Sequence, residues 1–254
     1  MRHAAGAAVV TVTVSLAAST GFAWAQSSVV QQNNVSVGRE SSSVTISGDT
    51  VTVETSTEAG RVVGDGQPAS QARQIGPVSA IHADGAFAVT VRIGPTPGLT
   101  VETDKNLLPI VKTEVSGGRL DIYTDRSYSV DGRIKVTVTS PEVTEIAASG
   151  SNQINGEGLN DGNLSISLNG SNHAVLSGNV ATMTAQLSGS NHLSAQQLSA
   201  GSADVRLSGS GSAAVDARQR IAAEISGAGD IAVYGNPKER STQVNGAGKI
   251  TFVD

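Results

Sequence analysis

From Val143 to the end of the chain, apolar and polar residues alternate in short runs, and the runs return at a nearly fixed distance. One unit reads His173-Ala174-Val175-Leu176, a turn, then Thr182-Met183-Thr184-Ala185-Gln186-Leu187. Alternation at a period of two puts one set of side chains on a buried face, so each run predicts a strand. The runs meet at a recurring phrase of small residues. It occurs as Ser149-Gly150-Ser151-Asn152, Asn169-Gly170-Ser171-Asn172, Ser188-Gly189-Ser190-Asn191, Ser208-Gly209-Ser210-Gly211, Ser226-Gly227-Ala228-Gly229 and Asn245-Gly246-Ala247-Gly248. Its glycines at 150, 170, 189, 209, 227 and 246 step by 20, 19, 20, 18 and 19 residues. A near-constant period of that size marks a stacked repeat.

A unit this short has no room for a strand–helix–strand crossover or a four-stranded propeller blade. It suits one coil of a parallel β-helix, in which each coil hydrogen-bonds to the next and rises about 4.8 Å. Residues one period apart then stack. Leu168, Leu187, Leu207, Ile225 and Val244 share one offset before the corner and predict a continuous apolar stack. Glycine at the same corner of every coil permits a backbone closed to other residues. The Ser and Asn beside it can bond the turn or form ladders with their own counterparts. Val215 to Ala223 has helix-forming residues but no cap, and it falls in register with the strands, so it is read as strand.

Upstream the pattern loosens. Residues 1–25 read as a secretory signal: Arg2 and His3, a small apolar run, and Ala23-Trp24-Ala25 as an A-x-A cleavage site. Residues 26–75 are linker-like, with Gln31-Gln32-Asn33-Asn34, Ser41-Ser42-Ser43 and Gly64-Asp65-Gly66-Gln67-Pro68, around a short hairpin of Val44-Thr45-Ile46 and Val51-Thr52-Val53. The main domain spans 76–254. It opens with strands at Phe87 to Ile93, Ile110 to Val115, Leu120 to Thr124 and Ile134 to Val138, and a degenerate corner at Ala83-Asp84-Gly85-Ala86. Asp104 is placed to cap one helical turn through Asn106-Leu107-Leu108, ended by Pro109.

Composition narrows the function. Aromatic residues are 3% of the chain, so the core is aliphatic, which a narrow coil requires. There is no cysteine, which removes disulfides, thiolate metal sites and Cys nucleophiles. The formal charge of −5 gives no footprint for nucleic acid. No segment after the signal is apolar for long enough to span a bilayer as a helix.

The candidate site residues come from the irregular corners. Asn152, Asn172 and Asn191 occupy one offset, and His173 and His192 follow two of them, 19 residues apart (192 − 173). These five predict a polar ladder, the best candidate for ligand binding. Two histidines with no third ligand argue against a zinc site, and no metal or cofactor is assigned. Asp216 with Arg218 and Arg220 reads as a solvated edge. No two carboxylates of 148–254 stack on adjacent coils, and Gly189-Ser190 lacks the strained elbow of a serine hydrolase. No catalytic residue is assigned, and the chain is read as no enzyme.

The corner phrase, Val101-Glu102-Thr103-Asp104-Lys105-Asn106-Leu107-Leu108-Pro109 and Tyr234-Gly235-Asn236-Pro237 together resemble the head GIN domain, a bacterial family of unknown function labelled as an autotransporter adhesin head. The likeness covers residues 76–254. It implies a right-handed, single-stranded parallel β-helix in an exported or surface protein. Asn152, Asn172 and Asn191 depart from it, standing where the family has a second glycine, and the following Asp survives only as Asp230. The resemblance brings no catalytic or ligand residues with it. The resulting expectation is an exported, non-enzymatic binding or adhesion-like module of the surface or periplasm, with a glycan or an envelope protein as partner. The alternatives are an envelope scaffold or sensing partner acting by protein contact, with self-association through the coil ends, and, more remotely, a glycan-active enzyme.

Overall fold

The computed structural model of the chain describes residues 42–47, 50–55, 61–160 and 162–253. Residues 1–25, read from the sequence as a secretory signal, lie outside them. The chain divides into two units, one reaching Arg61 and one beginning at Val62. In the first, Ser42–Ser47 and Thr50–Thr55 pair antiparallel, with Val44 opposite Val53. This is the hairpin read from the alternation.

The second unit is all-β and is a parallel β-helix. Each coil sends one strand to each of two stacks, and the small-residue corner joins them. The first stack runs Arg119–Thr124, Ala80–Gly85, Glu145–Gly150, Asn163–Gly170, then 182–189, 202–209, 220–227 and Glu239–Gly246, all parallel. The second runs Ile134–Ser140, Phe87–Ile93, Gln153–Leu159, then 173–178, 192–198, 212–216, Asp230–Tyr234 and Lys249–Phe252. Residues 212–227 form one strand segment, so the reading of Val215 to Ala223 as strand holds.

The interior is built as the alternation requires. Leu168, Leu187, Leu207, Ile225 and Val244 stand in direct register. The first four are buried, and Val244, in the last coil, is 41% exposed. Burying each such side chain stabilises by about 2 kcal/mol, which is how a mostly aliphatic core suffices with little aromatic mass beyond Phe87.

Stack order departs from chain order at the start. Residues 119–140 form a coil on one side of residues 80–93, and residues 145–159 form the coil on the other. The chain lays the 80–93 coil, steps back to close the end, builds the coil beneath it, and then climbs. The closed end is antiparallel. Val111–Ser116 covers Arg119–Thr124; Gly98–Asp104 covers Ile134–Ser140 and is covered in turn by Pro68–Arg73. Arg73 ties the two sides of this cap, donating from Nη1 to the Val111 carbonyl at 2.8 Å and from Nη2 to the Leu108 carbonyl at 3.0 Å.

Two expectations change here. The segment read as linker up to residue 75 contributes Pro68–Arg73 to the cap, and Val62–Val63 pairs with Tyr128–Ser129. Its Gly, Pro and Gln content hid edge strands, where Pro costs no ladder bond. The single helical turn lies at Leu108–Ile110 rather than 104–108, with Pro109 inside its first positions and no side-chain cap. Proline fits there because the first amides of a helix are unpaired in any case. The Asp104 carboxylate instead accepts the Gly66 N–H at 3.1 Å.

At the other end, Glu239–Gly246 and Lys249–Phe252 are the last strands of the two stacks. Arg240 stands opposite Ile221, in a row that is apolar in the coil before, with its guanidinium 4.2 Å over the Phe252 ring. A charge in an inward row is one way to blunt an open sheet edge.

Candidate functional site

The corner asparagines point inward. Asn152, Asn172 and Asn191 are 1–2% exposed and form a hydrogen-bonded ladder inside the coil. Asn172 Oδ1 accepts the Asn152 backbone N–H at 2.9 Å, and Asn191 Oδ1 accepts that of Asn172 at 2.9 Å. The side-chain amides donate back to the corner carbonyls of Ser149, Asn169 and Ser188 at 2.7, 2.9 and 2.7 Å. Along the stack the position runs Ile134, Phe87, Asn152, Asn172, Asn191, Gly211, with Phe87 N–H donating to Asn152 Oδ1. The expectation of a ligand-binding ladder is corrected for these three. They satisfy buried backbone groups that would otherwise cost free energy, and a molecule outside the coil cannot reach them.

The two histidines do face outward. His173 and His192 are in register, with ring centroids 4.8 Å apart and planes 8° apart. His192 Nδ1 is hydrogen-bonded to Ser212 Oγ on the next coil. Partial burial and the neighbouring His192 ring lower the pKa of His173 below its usual value of 6.5. The folded chain therefore holds His173 neutral where the unfolded chain would protonate it. Stability from this position is present above about 6.5 and is lost as pH falls below it toward the lowered folded value. In an NMR pH titration His173 is expected to titrate below 6.5, and His192→Gln to move it part of the way back. A midpoint above 6.5 for His173 contradicts the stacked geometry.

A second polar surface was invisible to the periodicity. On the outside of the first stack two rows run along the β-helix axis. One passes through Asp121, His82, Ala147, Ser167, Gln186, Arg206, Glu224 and Gln243. The other passes through Asp84, Ser149, Asn169, Ser188, Ser208, Ser226 and Asn245. Between the rows lie two hollows of about 350 Å³ each. One sits over the first-stack strands Asn163–Gly170, 182–189, 202–209 and 220–227, flanked by Gln186, Arg206 and Glu224 and by Ser188 and Ser208. The other holds His82, Asp84, Glu114, Asp121 and Tyr123, and ends at Ala147 and Ser149. Ser167 and Asn169 continue directly from Ala147 and Ser149, so the hollows are parts of one furrow.

Much of the charge in the furrow is paired. His82 Nε2 lies 2.7 Å from Glu145 Oε1, and its Nδ1 lies 3.8 Å from Asp121. Tyr123 donates to Glu114 Oε1 at 2.6 Å, and that hydrogen bond raises the phenol above its usual pKa. Arg206 reaches Asp204 at 3.3 Å and Glu224 at 3.7 Å. His82 and Asp121 meet only because the 119–140 coil is laid beneath the 80–93 coil, an order no repeat spacing discloses. Among the described residues no three His, Cys, Asp or Glu side chains gather as a metal site.

Asp216 is not a solvated edge. It is 5% exposed, with Oδ2 receiving Arg218 Nη2 at 2.7 Å. The register against the previous coil slips between Val215, opposite Ala195, and Asp216, opposite Ser199, and this irregularity turns Asp216 inward beside Val215 while Arg218 and Arg220 stay exposed.

The fold is similar to that of solved bacterial proteins. One is a crystal structure described as a "putative adhesin" from Bacteroides fragilis NCTC 9343, with 20% identity and a TM-score of 0.59 over 76% of this chain and 100% of that one. Another is described as a "putative lipid binding protein" from Parabacteroides distasonis ATCC 8503, with 23% identity and a TM-score of 0.50 over 76% of this chain and 100% of that one. At these identities the likeness is one of fold. No curated protein matches the chain. The sequence profile of the family described as "Putative auto-transporter adhesin, head GIN domain" matches residues 78–237, from the first inward valine of the coils through Tyr234-Gly235-Asn236-Pro237. The chain belongs to that family.

Proposed function

We propose that the protein is an exported, non-enzymatic binding module of adhesion-like character, working at the cell surface or in the periplasm. The observation that carries this reading is the furrow: exposed hydrogen-bonding side chains held at one strand spacing, about 4.8 Å, on a backbone fixed by parallel ladders through successive coils. Such a face presents many weak, regularly spaced contacts. The family and the sequence of residues 1–25 support export. Among the described residues no helix is long and apolar enough to cross a membrane.

The test is adherence of beads coated with the full chain to bacterial and host cells and to glycan arrays. Retention above that of an uncoated bead on at least one surface is the expected result; no retention on any removes the adhesive reading.

A second reading, an envelope scaffold acting by protein contact, is favoured by the last coil, where Val244 is exposed and Ile250 and Phe252 are half-buried. Edge strands invite pairing, and a second copy is the simplest partner. Light scattering across a concentration series is expected to show a dimer under this reading, and a strict monomer at the highest concentration ends it.

A further inference from the structure

We infer that the furrow on the first stack binds a neutral, linear polysaccharide laid along the long axis of the β-helix. The inference rests on the binding-module reading above and names its ligand class.

The spacing comes first. Gln186, Arg206 and Glu224 occupy the same place on three consecutive coils, in register. An extended pyranose chain advances by about one strand spacing per sugar, about 5 Å. Successive sugars can therefore meet successive coils, since the difference of about 0.2 Å per step stays small over the three coils of Gln186, Arg206 and Glu224.

The donor and acceptor set comes second. Gln186 carries an amide, Arg206 a guanidinium and Glu224 a carboxylate, all planar and each with two or more hydrogen-bonding positions. Neighbouring sugar hydroxyls both donate and accept, so they match such groups in pairs. Across the furrow, Ser188, Ser208 and Ser226 supply a row of hydroxyls in the same register. Toward the other hollow, Ala147 and Ser149 keep the floor low, so a chain can continue over them toward Tyr123.

Charge decides between classes of polymer. The two arginines that stand beside the hollows are matched by carboxylates: Arg206 by Asp204 and Glu224, Arg119 by Asp121 at 3.0 Å. Asp84 and Glu114 add negative charge at the far end. A polyanion would find no excess of positive charge along this path, and a neutral polymer pays no repulsion. A protein partner is disfavoured because no large apolar or aromatic side chain stands out of the patch: Leu168, Leu187 and Leu207 beneath it are buried, whereas the centres of protein interfaces are enriched in such anchors.

The test is isothermal titration of the full chain with β-linked gluco-, manno- and xylo-oligosaccharides of increasing length, with polygalacturonate as the anionic comparison. The variants are Arg206→Ala, Gln186→Ala and Ser208→Trp, with Gln153→Ala on the second stack as the control. All four positions are solvent-facing, and thermal melts confirm that each variant folds. At least one neutral series is expected to bind, more tightly with length, and without loss in added salt. Arg206→Ala is expected to weaken it about tenfold, the loss of a hydrogen bond to a charged group. Ser208→Trp is expected to abolish binding by filling the furrow, and Gln153→Ala to leave it unchanged. Binding of none of the three neutral series, binding that survives Ser208→Trp, or binding of polygalacturonate alone overturns the inference. If coated beads still adhere when the sugars fail, only the ligand class falls. If the beads fail too, the binding-module reading falls with it.

Discussion

Asn172→Ala is expected to destabilise the protein by about 4 kcal/mol, although it removes one side chain of ordinary size at a corner. Asn172 Oδ1 receives the Asn152 backbone N–H and side-chain amide at 2.9 and 3.0 Å, and its own amide donates to the Asn169 carbonyl and Asn191 Oδ1 at 2.9 Å each. All of this lies in the interior, with Asn152, Asn172 and Asn191 buried. Alanine leaves a backbone donor and a carbonyl without partners in a space too apolar to repay them. Each orphaned group costs roughly 1–3 kcal/mol. For a domain of this size that lowers Tm by roughly 10 °C. The adjoining His173→Ala, on the outer face, is expected to change stability by no more than about 0.5 kcal/mol. Thermal melts followed by circular dichroism compare the two. Equal, small shifts would mean that the asparagines are surface decoration.

Gly189→Ala is expected to be as damaging, for a steric reason. Gly189 has φ 103°, a region closed to alanine, and a Cβ there would lie 2.4 Å from the Gly170 carbonyl oxygen. That oxygen is fixed, since it accepts the Ser190 N–H at 2.8 Å in the ladder of corner bonds. Neither coil can retreat without opening the stack. Backbone strain of about 1–3 kcal/mol is added to the overlap, so the substitution is expected to cost about 4 kcal/mol or to prevent folding. Gly98→Ala is the comparison, because a Cβ at Gly98 meets nothing within 4 Å. It is expected to change the urea midpoint little, in either direction. Similar midpoints for the two variants would contradict the corner geometry.

These two positions show what the sequence discloses and what it conceals. The repeat period carried the coil, the corner and the Leu168–Leu187–Leu207–Ile225 stack, because in a β-helix residues one period apart touch. The period also placed Asn152, Asn172 and Asn191 in one ladder. It could not say whether that ladder faced in or out, because Asn at a turn serves either purpose. Inward orientation follows from the register after the corner: Gln153 and His173 take the exposed places, so the asparagine before each is turned inside.

The furrow was concealed for a different reason. Ser, Gln, Arg and Glu on an outward row look like ordinary solvated strand positions, and their meeting depends on neighbours from other coils. The His82–Glu145–Asp121 cluster was further hidden, because it joins a coil to one laid beneath it out of chain order. The cap strand Pro68–Arg73 was hidden by composition, since an edge strand tolerates the Pro and polar residues that usually mark a linker.

The most direct test of the account is adherence by beads coated with wild-type protein or with Ser208→Trp, measured on the same cells. Function is placed on the outer furrow and not on the corner ladder, so wild-type beads are expected to adhere and Ser208→Trp beads to lose most of that adherence while melting at the wild-type temperature. Equal adherence by the two, or none by the wild type, would contradict it.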